Sequence, residues 1–414
     1  MADLNKFIIT NWCGVPHKFI RHADGTLAVD RFEEVLASGI NTVPFYDYGY
    51  ATNCEALAAC HKLGLKVILS DERIDKALGD GDNRRELLTA VVRDYAAYPA
   101  LLGYHIVDEP NSGAFPALAE IREILSELDP AHESYINLFP NYASLEMLGN
   151  PSYYDHLEQF IQVVKPEILS YDHYHFMQEK AHTDVVLADE RQNAILHDAY
   201  RQINRPGFFD NLEAVYASCK QRGIPFTLIV LVTQHGPYRD LSEAEIRYEV
   251  FQALAYGSAR MSYFTYWTPP HDDIWHWKNG MLTADGSRTQ HYYDVQTVNR
   301  DLQPLGQALG GRTPDAVYHI GAEPDSLVRY WPGSHGSVAA ISAEHLTISF
   351  FPDELLFLAS KDYKAAQALT LTLRAGKTAQ YYDTKESAWL PLASHDGTLT
   401  LTLAAGDAAL LRFC

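Results

Sequence analysis

Positive charge, cysteine and long apolar runs are all scarce in this chain, and each shortage removes a class of function. Its 414 residues carry a formal net charge of −20. That balance repels nucleic-acid phosphates and anionic lipid surfaces, so neither nucleic acid nor a membrane is an expected partner. Five cysteines, Cys13, Cys54, Cys60, Cys219 and Cys414, are scattered without a Cys-x-x-Cys pair. They form neither a disulfide framework nor a zinc motif, and reduced thiols in a cytoplasmic protein are the expectation. A buried, inert thiol is the simpler reading of Cys13. No apolar stretch approaches the ~20 residues of a membrane span. Residues 1–6 show no basic segment leading into a long apolar core, so no secretory leader is read there. A glycine-rich loop after the first strand-like run, a Gly-x-Ser-x-Gly elbow and a His-Glu-x-x-His pair are missing too. Phosphate-loop, serine-nucleophile and zincin chemistries therefore have no foothold. No cofactor and no metal are expected.

What the chain does have is aromatic surface, with 26 Tyr and 6 Trp. It also has a regular alternation of element types. Up to about residue 310, β-rich apolar runs at 7–10, 42–46, 66–69, 103–107, 133–138, 168–171, 226–232 and 261–266 alternate with amphipathic helical patterns. Those helical stretches are 29–38, 53–63, 84–98, 115–128, 211–222 and 242–256, the last opened by a Ser242/Glu245 capping box. Eight such units predict an α/β fold, a (β/α)8 TIM barrel over residues 1–311. After Gly310-Gly311 only short strand-like runs remain, at 317–320, 327–331, 337–341, 346–351, 368–373, 380–382, 398–403 and 408–413. They predict a C-terminal antiparallel β-sandwich over 312–414.

Barrel enzymes build their active sites at the C-terminal ends of the strands. Here those ends carry Asn11-Trp12, Tyr46-Asp47, Asp71-Glu72, Asp108-Glu109, Asn137, Asp172-His173-Tyr174-His175, Gln234-His235 and Tyr266-Trp267. The fourth is the most informative. An apolar strand stops at two adjacent carboxylates followed by Pro110, which suits acid/base cleavage of a glycosidic bond. It equally suits a helix start with Asp108 as its cap. Read as chemistry, Glu109 is the proton donor, with a pKa raised in part by Asp108. Asp172 is the first choice for the second catalytic carboxylate, ahead of Asp47, Asp71, Glu72, Glu213, Asp272 and Asp273; its alternative role is a helix cap. Asn11, Trp12, Tyr46, Asp47, Asp108, Tyr174, Gln234, His235, Tyr266 and Trp267 are the candidate substrate-binding residues. His173 and His175 are set aside as metal ligands because the chain has neither a His-Glu-x-x-His pair nor a cysteine cluster to go with them.

Three segments resemble the barrel glycoside hydrolases of the clan that includes families 42 and 5. They are residues 104–111, similar to the fourth-strand Asn-Glu-Pro motif; residues 253–267; and the turn at 280–289 with the helical pattern after it. The resemblance implies a carbohydrate substrate and a glycosidase, compatible with a homo-oligomer. It also implies a nucleophilic glutamate after the seventh strand. This chain has Leu231-Val232-Thr233-Gln234-His235 there, and Asp108 where the clan has asparagine. A non-catalytic carbohydrate-binding protein and a metal-dependent sugar isomerase or lyase stay open as alternatives.

Overall fold

The computed structural model describes residues 6–180 and 200–414; part of the segment read for a leader, residues 1–5, lies outside them. Strands β1 (Ile8–Asn11), β2 (Thr42–Phe45), β3 (Lys66–Leu69), β4 (Leu101–Asp108), β5 (Glu133–Leu138) and β6 (Leu169–Asp172) alternate with helices. A two-stranded antiparallel ribbon follows, β7 (Phe176–Lys180) with β8 (Tyr200–Asn204). Then come β9 (Phe226–Leu231) and β10 (Arg260–Phe264). Eight of these form one parallel sheet in the order β1-β10-β9-β6-β5-β4-β3-β2. The seam between β1 and β2 is closed by Asn41: its N–H donates to the Ile9 carbonyl (3.0 Å), and its Oδ1 accepts from the Ile9 N–H (3.0 Å). The result is a (β/α)8 barrel. Ser242 and Glu245 form the expected capping box at the helix Glu243–Ala255.

The floor of the barrel is ionic. Arg260 on β10 makes a bidentate pair with Glu133 on β5, at 2.5 and 2.6 Å. Gly103 of β4 makes room for it, since a Cβ there would stand 2.5 Å from Glu133 Cγ. Above this pair, Thr10, Ser170, Thr227 and Ser262, all buried, occupy positions that bulky branched residues usually fill. Small polar side chains leave space beneath the rim.

The C-terminal part is a sandwich of two antiparallel sheets. One is β11 (Ala316–Ile320), β13 (Leu346–Phe351), β14 (Leu355–Ser360), β19 (Ala408–Phe413), β16 (Ala379–Asp383) and β17 (Ala388–Leu392), in that spatial order. The other is β12 (Val338–Ser342), β15 (Gln367–Leu373) and β18 (Thr398–Leu403). Leu346, Ile348, Leu356, Leu358, Leu371 and Leu399 fill the space between them. The run 327–331 is not a strand. Asp325 instead accepts the Gly207 and Phe209 N–H groups (both 2.7 Å) at the start of the helix Phe208–Arg222, and Asp210 accepts the Leu327 N–H (2.6 Å). The start of this run holds sandwich to barrel, and Arg329 and Trp331 bridge to His319 of β11 (2.8 and 2.9 Å). Arg247 adds to that junction through Asp301 (2.8 Å) and Asp407 (3.1 Å).

Candidate active site

In a regular strand, Asp108 and Glu109 would point to opposite faces. Two local departures bring both to the cleft. The β4–β5 ladder shifts register between His105 and Val107, and such a bulge re-aims the side chains beyond it. Glu109 then takes φ +46°, a left-handed conformation that costs a non-glycine residue roughly 1–2 kcal/mol. Its N–H still donates to the Asn137 carbonyl at 2.8 Å. The capping role falls to Asn111, whose Oδ1 accepts the Gly113 N–H at 2.9 Å. Asp108 is thereby released from the helix start.

Three carboxyl groups meet here. Asn137 Nδ2 donates to Asp108 Oδ1 and to Asp172 Oδ1, each at 3.1 Å. The amide is held in that sense by a relay in which Tyr135 donates to Ser170 Oγ (2.8 Å) and Ser170 donates to Asn137 Oδ1 (2.8 Å). Glu109 and Asp172 lie near enough for each carboxyl to shift the ionisation of the other. Asp172 is buried, 5% exposed, whereas Asp108 is open to the cleft. Burial, and then the charge of Asp108, push the Glu109 carboxyl up to about 7. Burial, then the charges of Glu109 and Asp108, push Asp172 well above the usual carboxylate range. Packed this tightly, Asp172 keeps its proton at neutral pH and can offer it to Glu109.

The walls are aromatic. Tyr174 stacks on Phe264 with ring centroids 5.4 Å apart, and His235 stacks on Trp277 at 4.3 Å. Trp12 stands edge-on to His105 at 5.5 Å. Trp12, Tyr46 and the buried Asn11 line a cavity of about 180 Å³ at the barrel mouth. Trp267 stacks on Phe19 at 4.7 Å and lines a second hollow of about 200 Å³, which shares Cys13 and Tyr46 with the first. Gln234 is fixed by backbone pairing with Lys278 on the lid-like loop after β10.

Other candidates are placed elsewhere. Tyr266 is fully buried and its phenol lies toward Glu34 and Tyr292 of the outer helices, so it is not a floor for ligand. Asp47 braces its own loop by accepting the Gly49 (2.9 Å) and Glu72 (3.0 Å) N–H groups. Asp71 caps the helix Glu72–Gly79 and is clamped by Arg73. Glu213 accepts from Tyr256 in the barrel–sandwich junction (2.9 Å), and Asp272 caps a turn in the exposed loop. His173 and His175 are engaged separately, bonded to Asn211 (3.0 Å) and to the Arg205 carbonyl (3.1 Å).

Three participants were not foreseen. His105 projects into the barrel and is kept neutral, its pKa lowered by burial to about 4; an imidazole inside an apolar strand was the available signal. Arg205 lies over the Tyr142 ring at 3.8 Å and donates to Tyr238 Oη at 3.1 Å. Nothing local in the sequence marks Arg205 or Tyr142, because β8 and the β5 loop meet only in three dimensions.

No protein-family profile matches the sequence, and no curated protein sequence does. Solved structures match in fold. A catalytic mutant of a family 42 β-galactosidase from G. stearothermophilus superposes with a TM-score of 0.63 at 9% identity, over 99% of this chain and 98% of that one. A family 5 glycoside hydrolase from Bacteroides vulgatus gives 0.58 at 9% identity, over 98% and 89%. Against a β-galactosidase from the psychrophilic Marinomonas ef1 the score is 0.50 at 11% identity; the match covers 73% of this chain and 60% of the length of that one. The fold is thus one shared with glycoside hydrolases of families 42 and 5.

Proposed function

We propose that the protein hydrolyses glycosidic bonds of an oligo- or polysaccharide, with Glu109 as proton donor. The observation that carries this reading is a carboxyl held near pH 7 beside an aromatic cleft, on a fold whose solved neighbours are glycoside hydrolases. A donor protonated at neutral pH can deliver its proton to the leaving oxygen as the bond breaks. The unpaired cysteines suit a reducing, cytoplasmic setting. The reading is tested with a panel of aryl glycosides and oligosaccharides. Cleavage of the oligosaccharides that falls in Glu109→Gln supports it; binding of sugar with no cleavage anywhere in the panel would contradict it and leave a carbohydrate-binding protein.

Asp172 takes a positioning role in this account. A nucleophile or water-activating base needs about 5–5.5 or 6.5–9.5 Å between the two carboxyls, whereas Asp172 is near enough to Glu109 to share a proton with it. Asp172→Asn preserves a neutral donor, so turnover should stay within about tenfold of wild type, the worth of one ordinary hydrogen bond. Its alkaline limb should sit at or below the wild-type pH. Asp172→Ala removes the neighbouring proton that favours ionised Glu109 and should move the limb upward. A loss of a thousandfold in both variants would make Asp172 the nucleophile after all.

The pH dependence has a definite sign. The donor must be protonated, so kcat/KM should fall as pH rises through about 7. Stability follows the same groups. A carboxyl whose folded pKa is raised binds protons more tightly in the native state, so its contribution is lost as pH rises from the unfolded range of about 4 through the folded value. Melting temperatures of Asp172→Asn and wild type should therefore converge at pH 4 and favour the variant at pH 8.

A further inference from the structure

Glycosidase chemistry at Glu109 still needs something to attack the sugar from the other face. The seventh barrel strand, β9, runs into Val232-Thr233-Gln234-His235 without a carboxylate. Asp172 is buried against Glu109. Among the described residues, the carboxylate that remains open to the cleft is Asp108, adjacent to the donor itself.

Beside Asp108 lies the 180 Å³ cavity. Four residues that line it, Thr10, Asn11, His105 and Ser262, each carry a buried polar atom without a hydrogen-bond partner: Oγ1, Oδ1, Nε2 and Oγ. Thr10, Asn11 and Ser262 are 4%, 1% and 0% exposed. Buried polar atoms rarely stay unpaired, so a polar guest in the cavity would gain these partners as the side chains turn toward it. The volume would hold about six waters at roughly 30 Å³ each, or one amide-bearing ring substituent. Its chemistry narrows the choice. The lining contains no Lys or Arg and His105 is neutral, so a carboxylate or sulfate substituent has no counter-charge. Trp12, Tyr135 and Ile68 supply apolar wall for a methyl group. Asp108 is close enough that its charge, added to burial, raises the pKa of both Cys13 and Tyr135 in that wall.

We propose that the substrate is a 2-acetamido sugar whose own acetamido carbonyl is the nucleophile, with Asp108 accepting the acetamido N–H. This rests on the glycosidase reading above. In the first step Glu109 gives its proton to the glycosidic oxygen and the C1–O bond breaks. The acetamido oxygen bonds to C1, forming a cyclic oxazolinium whose positive charge Asp108 balances, and the alcohol leaves. In the second step water attacks C1 and gives a proton to Glu109. The ring opens, and the 2-acetamido sugar is released with its anomeric configuration retained. One water is consumed and no other reagent is needed.

The test compares 4-nitrophenyl 2-acetamido-2-deoxy glycosides with their 2-hydroxy counterparts, in the gluco and galacto series. The acetamido substrates should be cleaved at least ~100-fold faster, and mono-, di- and trifluoroacetamido analogues progressively slower as the carbonyl oxygen loses nucleophilicity. Asp108→Asn should lower kcat on the acetamido substrate by roughly 10²–10³, the scale for losing one charge-stabilising group, with proportionately less change in KM. Asp108 is exposed, so that variant should fold. Equal or faster cleavage of 2-hydroxy glycosides, with Glu109→Gln still impaired on unactivated substrates, would overturn the acetamido mechanism and leave the glycosidase intact. Cleavage of neither class would overturn both.

Discussion

Glu109→Gln should lower kcat/KM on unactivated glycosides by roughly 10²–10⁴, the range for losing a positioned general acid. Glutamine keeps the size and polarity of the side chain, so the left-handed turn at residue 109 and its place beside Asp172 can survive. It cannot surrender a proton to a leaving alkoxide. The same change removes a carboxyl whose charged form the site disfavours, so the melting temperature at pH 8 should hold or rise while activity collapses. Thermal scans beside initial rates separate the two effects. Undiminished turnover in a folded variant would remove Glu109 from the chemistry.

The second large effect is structural and lies at the opposite end of the barrel. Arg260→Met should destabilise the fold by about 3–5 kcal/mol, because it strands the Glu133 carboxylate, 11% exposed, without its bidentate partner. The pair spans β5 and β10 and closes the floor beneath the polar interior. Replacing both residues together, Arg260→Met with Glu133→Leu, should recover most of the loss, since no charge is then left buried and unpaired. Urea unfolding of the two single variants, the double variant and wild type measures the coupling. A single variant as stable as wild type would show that water reaches Glu133 and that the pair is ornamental.

How much of this was legible in the sequence depends on whether the signal was local. Barrel strands announced themselves through β-rich runs between amphipathic helices, and their boundaries moved by only a residue or two, as with 7–10 against Ile8–Asn11. β14 was invisible because it follows β13 through a turn in which Asp353 and Glu354, rather than glycine, take positive φ. The run 327–331 looked like a strand by composition, but its pairing is confined to one bridge in which Arg329 and Trp331 meet His319 of β11, and its Leu327 N–H is taken by Asp210. Proximity of Asp108, Glu109 and Asp172 followed from their places at strand ends. That Glu109 and Asp172 come near enough to share a proton did not follow; it depends on the β4 bulge and the turn at Glu109, which no local pattern marks. Tyr266 shows the reverse error, a strand-end aromatic whose alternation sends it outward.

The central claim, that Glu109 supplies the proton, is tested most directly by the leaving-group dependence of Glu109→Gln. Two aryl glycosides of the same sugar suffice, one with 2,4-dinitrophenolate, which departs unaided, and one with 4-methoxyphenolate, which needs a proton. The account predicts a loss of about 10²–10⁴ on the second and little loss of bond cleavage on the first. Equal losses on both would contradict it.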